Sequence, residues 1–263
     1  MSIQSVDRAL QILALFSHRC PVLGVTEISR ALDLSKGTVH GLIRTLLRQG
    51  FLQQDLPSRK YRLGLKIYEL GIILAGTLEI NQKSAGLINQ LAKTAQRIVR
   101  VAIWDGDSMV ITSDAHPRPR AVLPHQFGPR VHAYCSAIGK AVLAFMEEDL
   151  VKSYLQRTEL VAFTDATITD PEKLYAELET IRRRGYAIDR QEAVQGLICI
   201  GAPVFHRDGK VAGSISLSGS AQRMDAAKIE ELSEELLKTT AEVSRYMGYL
   251  PDFANSTAGS NYV

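Results

Sequence analysis

Apolar positions recur along this chain with two periods, and the change from one to the other divides it. Over roughly the first 80 residues they return every three or four positions, as on one side of a helix. Ser5 to Phe16 places Val6, Ala9, Leu10 and Leu13 on one stripe and predicts a first helix. Pro21 and Gly24 interrupt the pattern, so residues 17–25 read as a loop. Two short amphipathic helices follow, separated by a Leu-Asp-Leu-Ser turn. Thr26 and Ser35 each stand just before an apolar period, where a hydroxyl can accept from the free N–H groups of a first turn. In the second of these helices Val39, Leu42, Ile43, Leu46 and Leu47 share one face at about 100° per residue. Gly37, Gly41, Arg44 and Arg48 fall opposite, with His40 and Thr45 beside them. Gly50–Gln54 and Arg59–Leu63 then read as two short strands around the turn Asp55-Leu-Pro57-Ser58.

Leu65 to about Ile80 predicts another helix, apolar on two sides. Ile67, Leu70, Leu74 and Leu78 form one stripe, and Leu65, Ile72, Ile73 and Ile80 lie mostly across from it. Such a helix must bury both faces, one against its own chain and the other against a partner chain. Beyond it the period changes. A helix over residues 82–97 is followed by strands Arg100–Trp104 and Ser108–Thr112 around Asp105-Gly-Asp. Helices are predicted at Ala137–Phe145, Glu147–Gln156 and Pro171–Arg184, the last opened by Asp170-Pro171 and stopped by Gly185. Strands Tyr186–Asp189, Leu197–Phe205 and Lys210–Ser218 precede a closing helix, Ala221–Met247. The fold class is therefore α+β. Residues 1–63 form a winged helix-turn-helix, 64–80 a linker and dimerisation helix, and 81–250 an antiparallel sheet with flanking helices. A polar tail spans 251–263.

Charge sharpens the first part of this picture. Residues 1–62 hold nine Lys/Arg against four Asp/Glu, whereas the remainder holds twenty-two against twenty-four. A basic excess confined to a helix–helix–wing segment is the footprint of a protein that neutralises phosphates. The glycines of the second helix would let it lie close in a major groove, and its arginines could pair with guanine or hold phosphate. The expected DNA contacts are Thr26, Ser35, Lys36, Gly37, Thr38, His40, Gly41, Arg44 and Arg48, with Arg59, Lys60 and Arg62 from the wing. Operators are usually read by symmetric dimers, so a homodimer is expected.

Candidate chemistry elsewhere is thin. No apolar run reaches the ~18 residues of a membrane span, and the N-terminus lacks a secretion pattern. Three scattered cysteines, Cys20, Cys135 and Cys199, fit a reducing cytoplasm better than a disulfide framework. Gly139-Lys140 falls short of a phosphate loop, since Tyr134 stands where a glycine is needed and Ala141 where Ser or Thr is needed. His125, His132 and Cys135 match no common zinc spacing, so neither metal nor cofactor is expected. One rival reading is a DNA-binding module fused to a small hydrolase or transferase using Cys135 or Cys199, although no nucleophile–base motif is spelled out. A second rival is an architectural DNA binder without a ligand. Against the latter, Ser214, Ser216 and Ser218 share one strand face, and Cys199 and Gly201 share another, which leaves hydrogen-bonding groups beside open space.

Several motifs in order resemble the IclR family of bacterial transcriptional regulators. They are Ser5-Val-Asp-Arg-Ala-Leu, Leu34-Ser-Lys-Gly-Thr-Val-His, Tyr61-Arg-Leu-Gly, Cys135-Ser-Ala-Ile-Gly-Lys-Ala141 and Gly185-Tyr-Ala-Ile-Asp189-Arg-Gln-Glu192. Cys199-Ile200-Gly201, Val204-Phe205 and Ser214-Ile-Ser-Leu-Ser218 complete the set. His206 departs from the Asp or Asn usual in the family at that turn position. The resemblance covers about residues 3–250. It implies a winged-helix domain, a linker helix and a GAF-like effector domain, assembled as dimers that often pair into tetramers on double-stranded operator DNA. It also implies a small organic-acid or sugar-derived effector, in a pocket that maps here onto Leu123, Ser136, Ala137, Asp189, Leu197, Cys199, Gly201, Ser216 and Ser218. Family members both repress and activate. Asp189 is an unexpected neighbour for an acid. It would accept from a ligand hydroxyl, or be offset by Arg130 or Arg190.

Overall fold

A computed structural model describes residues 2–118 and 129–250. The chain divides between Thr77 and Leu78 into two compact units. The first contains α1 (Gln4–Ala14), α2 (Val25–Leu32), α3 (Lys36–Arg48), β1 (Leu52–Gln54), β2 (Tyr61–Leu63) and α4 (Leu65–Thr77). Its core gathers Ile12, Ile28, Val39, Ile43, Leu46, Leu52 and Tyr61, three residues from α3 and one from each of α1, α2, β1 and β2. Leu42 and Leu47 pack half-buried against them, so the apolar face of α3 is the inner face.

In α1 the inner stripe is Ala9, Ile12 and Leu13 rather than the one predicted through Val6 and Leu10. Val6 is 53% exposed and Leu10 59%. Both stripes have helical spacing, and periodicity alone does not choose between two apolar faces of one helix. The wing strands pair with Leu52 opposite Leu63 and Gln54 opposite Tyr61, and Leu23 bridges to Tyr61 on the far side. Gly64 closes the wing where backbone meets backbone, since a Cβ there would lie 2.1 Å from the Gly50 carbonyl oxygen. The linker helix α4 stops at Thr77, and Ile80 instead belongs to the next helix, where it is buried. Contrary to the expectation that one side would serve its own chain, α4 buries no residue. Leu65, Tyr68, Ile72, Ile73 and Leu74 are all more than half exposed.

The second unit is a six-stranded antiparallel sheet between two layers of helices. It comprises α5 (Glu79–Ala95), β3 (Ile98–Asp105), β4 (Ser108–Ala115), β5 (Arg130–Val131), α6 (Ala137–Leu143), α7 (Glu148–Arg157), α8 (Pro171–Arg184), β6 (Ala187–Arg190), β7 (Leu197–Phe205), β8 (Val211–Ser220) and α9 (Ala226–Tyr246). The strands run in the order β5-β4-β3-β8-β7-β6. Val99, Val101, Ile200, Val204, Ile215 and Leu217 point to one face, where α5 and α9 pack. Ala102, Met109 and Ala187 point to the other, under α6, α7 and α8. The closing helix starts later than periodicity suggested: a 3₁₀ turn holds Ala221–Arg223, and Asp225 then caps α9 by accepting from the Lys228 N–H at 2.8 Å. The two-residue strand β5 carries too short a pattern to be read in advance.

Candidate functional site

Two surfaces carry functional potential, one on each unit. On the first unit Ser35 caps α3, its hydroxyl oxygen accepting from the Thr38 N–H at 3.2 Å and lying 2.9 Å from the Thr38 hydroxyl. Thr26 does not play the parallel part at α2. It sits inside that helix, whose N-terminus is held by Glu27, the carboxylate accepting from the Gly24 N–H at 2.6 Å. Lys36, Gly37, His40, Gly41, Arg44 and Arg48 are exposed along α3, with Thr38 half-buried at their edge. A Cβ added at Gly41 would meet nothing within 4 Å, so nothing within the chain requires glycine there. In mid-helix glycine costs about 1 kcal/mol relative to alanine.

The wing supplies fewer free cations than its sequence suggested. Arg59 and Arg62 are exposed. Lys60, however, pairs with Glu27 at 3.0 Å and ties the wing to the start of α2. Glu27 therefore serves both the helix terminus and Lys60, and these contacts hold its carboxyl below the ordinary range. Asp55 shapes the turn by accepting from the Ser58 N–H at 3.2 Å and the Ser58 hydroxyl at 2.5 Å.

On the second unit, register builds a polar floor. Across β6, β7, β8 and β3 one row runs Asp189, Cys199, Ser218, Ile98, and the next runs Ala187, Gly201, Ser216, Arg100. The Ser214 hydroxyl donates to the Ile138 carbonyl of α6 at 2.6 Å, which fixes this as the face beneath that helix. Gly201 is where the helix comes down onto the sheet, since a Cβ there would stand 2.5 Å from the Ala137 carbonyl oxygen. Ser136 caps α6, accepting from the Gly139 N–H at 3.2 Å and donating to the His132 carbonyl at 2.6 Å. Its hydroxyl is thus already engaged. Leu197 lies half-buried at the start of β7. Leu123, His125 and residues 251–263 lie outside the described residues.

Asp189 is 2% exposed and accepts from the Glu192 N–H at 2.6 Å. Burial pushes its carboxyl up to about 7. Neither basic residue considered from sequence faces it. Arg130 binds Asp105 and the Ser108 hydroxyl, and Arg190 is the exposed residue at the end of β6. The cation on this face is Arg100, whose Nη1 donates to the Ser218 hydroxyl at 3.3 Å. A single arginine between two valines was visible in the sequence, but only the pairing of β3 with β8 places it beside the serines.

The other candidate chemistries resolve into structure. Lys140, of the incomplete phosphate loop, is 1% exposed and pairs with Glu192 at 2.5 Å and Glu177 at 3.6 Å. Burial pushes the Cys135 and Cys199 thiols up to about 12, so each is a neutral thiol near pH 7 and a poor nucleophile. The Cys199 thiol lies 3.3 Å from the Ser218 hydroxyl. Among the described residues no cluster of three His, Cys, Asp or Glu side chains could hold a metal. No described helix is long and apolar enough to cross a membrane.

Comparison with known proteins gives the family of both units. A family model described as the IclR helix-turn-helix domain matches residues 5–56, and one described as bacterial transcriptional regulator IclR C-terminal matches residues 74–245. The chain is 34% identical over 247 residues to the HTH-type transcriptional regulator XynR of Escherichia coli (strain K12), covering 94% of this chain and 98% of that one. It is 30% identical to the glycerol operon regulatory protein of Streptomyces coelicolor, covering 93% of this chain and 94% of the relative. Among solved structures, the Thermotoga maritima IclR superposes with a TM-score of 0.75 at 30% identity, over 94% of this chain and 100% of that one.

Proposed function

The chain belongs to the IclR family of bacterial transcriptional regulators, and on that premise we propose that it reads its operator with the exposed face of α3, as a dimer, under the control of a metabolite held on the serine face of β8. The observation that carries this reading is the division of labour within one chain. A capped helix with seven exposed polar or glycine positions lies in one unit, and a buried polar sheet face lies in the other. Arg44, Arg48 and the wing residues Arg59 and Arg62 supply cations for DNA. The metabolite is a small organic acid or sugar-derived molecule. The regulator acts in the cytoplasm, and its neutral buried thiols give no support to a hydrolase or transferase reading.

The exposed apolar faces supply the reason for a dimer. Ile3, Val6 and Leu10 of the first helical segment and Leu65, Tyr68, Ile72 and Ile73 of α4 leave a large apolar area in water. Burial against a second copy would recover about 25 cal/mol per Å². Two such dimers meeting on DNA would form the tetramer. Operator and metabolite then alter each other's affinity by the same factor, ~1–3 kcal/mol in typical cases.

Gel-shift titration of the DNA upstream of its own and neighbouring genes tests this. Arg44→Ala should cost ~1–3 kcal/mol of operator affinity if the residue contacts a base. Unchanged operator binding by that variant would remove Arg44 from the interface.

A further inference from the structure

The polar floor of the second unit has two poles. At one stands Arg100, donating through Nη1 to Ser218. Its Nε is shut away from water with no hydrogen-bond partner among the described residues. No described carboxylate forms an ion pair with it. The nearest by register, Asp114, lies directly across on β4 and is engaged by His116 at 2.6 Å. The sequence of residues 119–128 contains no Asp or Glu that could serve instead. A guanidinium with a dry, unpaired N–H beside a serine hydroxyl is a fork for an oxyanion. At the other pole stands Asp189, two strands beyond Ser218. With strands ~4.8 Å apart, Ser218, to which Arg100 donates, is roughly 10 Å from Asp189. Among the described residues no free cation faces Asp189: Lys140 is consumed by Glu192, Arg130 by Asp105, and Arg190 is exposed to solvent. The floor between the poles is lined by the small side chains of Ser216, Ser218 and Cys199.

We propose that Arg100 reads the charge of the effector: its guanidinium and the Ser218 hydroxyl bind the carboxylate of a small hydroxylated monocarboxylic acid, whose hydroxyl end lies toward Asp189. This rests on the effector-site reading given above and narrows it. One cation matches one negative charge. A second carboxylate, or a dianionic phosphate, would meet Asp189 with no described cation to neutralise it. A hydroxyl suits Asp189 in either protonation state, donating to the carboxylate or accepting from the acid.

The full-length protein is titrated by calorimetry and thermal shift with small hydroxy monocarboxylates, their carboxamides, matched dicarboxylates and sugar phosphates. Hydroxy monocarboxylates should bind, and the best of them should exceed its own carboxamide by roughly ten- to hundredfold, the range for losing a hydrogen bond to a charged group. Arg100→Gln should lose the acid by that same factor while keeping wild-type affinity for the amide, and Arg100→Lys should recover part of the loss. Amide binding equal to acid binding in the wild type overturns the proposal even if Arg100→Gln proves unstable. So does binding confined to dicarboxylates or phosphates, or no binding by any monocarboxylate. Ser216→Ala and Ser218→Ala separate the two levels of the argument. If the serine variants weaken an acid that Arg100→Gln binds normally, the charge reading alone falls. If none of the three substitutions alters binding of that acid, the effector site itself is misplaced.

Discussion

The proposed DNA-reading face and the proposed effector floor are built on opposite plans. The first is mostly local: Ser35 to Arg48 is a continuous stretch, and one helix with its own cap arranges all but the wing's Arg59 and Arg62. The second is assembled. Arg100, Asp189, Cys199 and Ser218 span 119 positions of chain and meet only through the register of four strands. The charges follow the same division. In the first unit Lys60 and Glu27 pair in water, with side chains 43% and 48% exposed. In the second, Lys140 and Glu192 pair at 1% and 6% exposure, within reach of Glu177. A local surface tolerates change at one residue, whereas an assembled interior passes it on.

Breaking one ion pair of each kind tests this contrast, and the buried pair should show the largest effect. Lys140→Met keeps the packed stem but strands Glu192, and losing one partner of a buried pair costs about 3–5 kcal/mol. Trp104, the sole tryptophan, lies in β3 with its ring centroid 5.3 Å from that of Tyr154, so its fluorescence follows the second unit. Urea denaturation read at Trp104 should show the loss. Lys60→Met should barely move the unfolding of the first unit, followed by circular dichroism. A Lys140→Met protein as stable as wild type would mean that the buried pair adds nothing.

Asp189 gives a smaller effect, dependent on pH. Its folded-state pKa, about 7, lies above the ordinary carboxylate value, so the folded form favours the protonated acid. The stability associated with this group is therefore full below about pH 4 and is lost as pH rises toward 7. Glu192 is raised as well, by burial ahead of the opposing pull of Lys140, and contributes with the same sign. The Trp104-detected midpoint should fall between about pH 4 and pH 7, and Asp189→Asn should flatten that fall. An unchanged slope in the variant would place the titration elsewhere.

The smallest effect sharpens the local side of the comparison. Gly41 meets no neighbour, so Gly41→Ala should stabilise the first unit by about 0.5–1 kcal/mol. Operator affinity should nevertheless fall, because the added methyl stands on the reading face. Equal operator binding by the more stable variant would show that the helix does not approach DNA at that position.

Most of the first unit was legible in the sequence because its signals are short in range. The Ser35 cap, the inner face of α3, the basic excess and the wing turn all act within about a dozen residues, so periodicity and turn chemistry state them directly. The serine face of β8 was legible for the same reason, since alternation is a property of one strand. Tertiary structure decided what depends on neighbours distant in sequence. It chose Ile12 over Val6 as the inner stripe of α1, left α4 without a buried residue, gave Lys60 to Glu27, kept Arg130 and Arg190 away from Asp189, and placed Arg100 beside the serines. A residue's own period says which neighbours along the chain share its face. Which face is inside, and what charge waits across it, is set by strand register and packing, where the free energy of burial depends on groups that the local pattern does not contain.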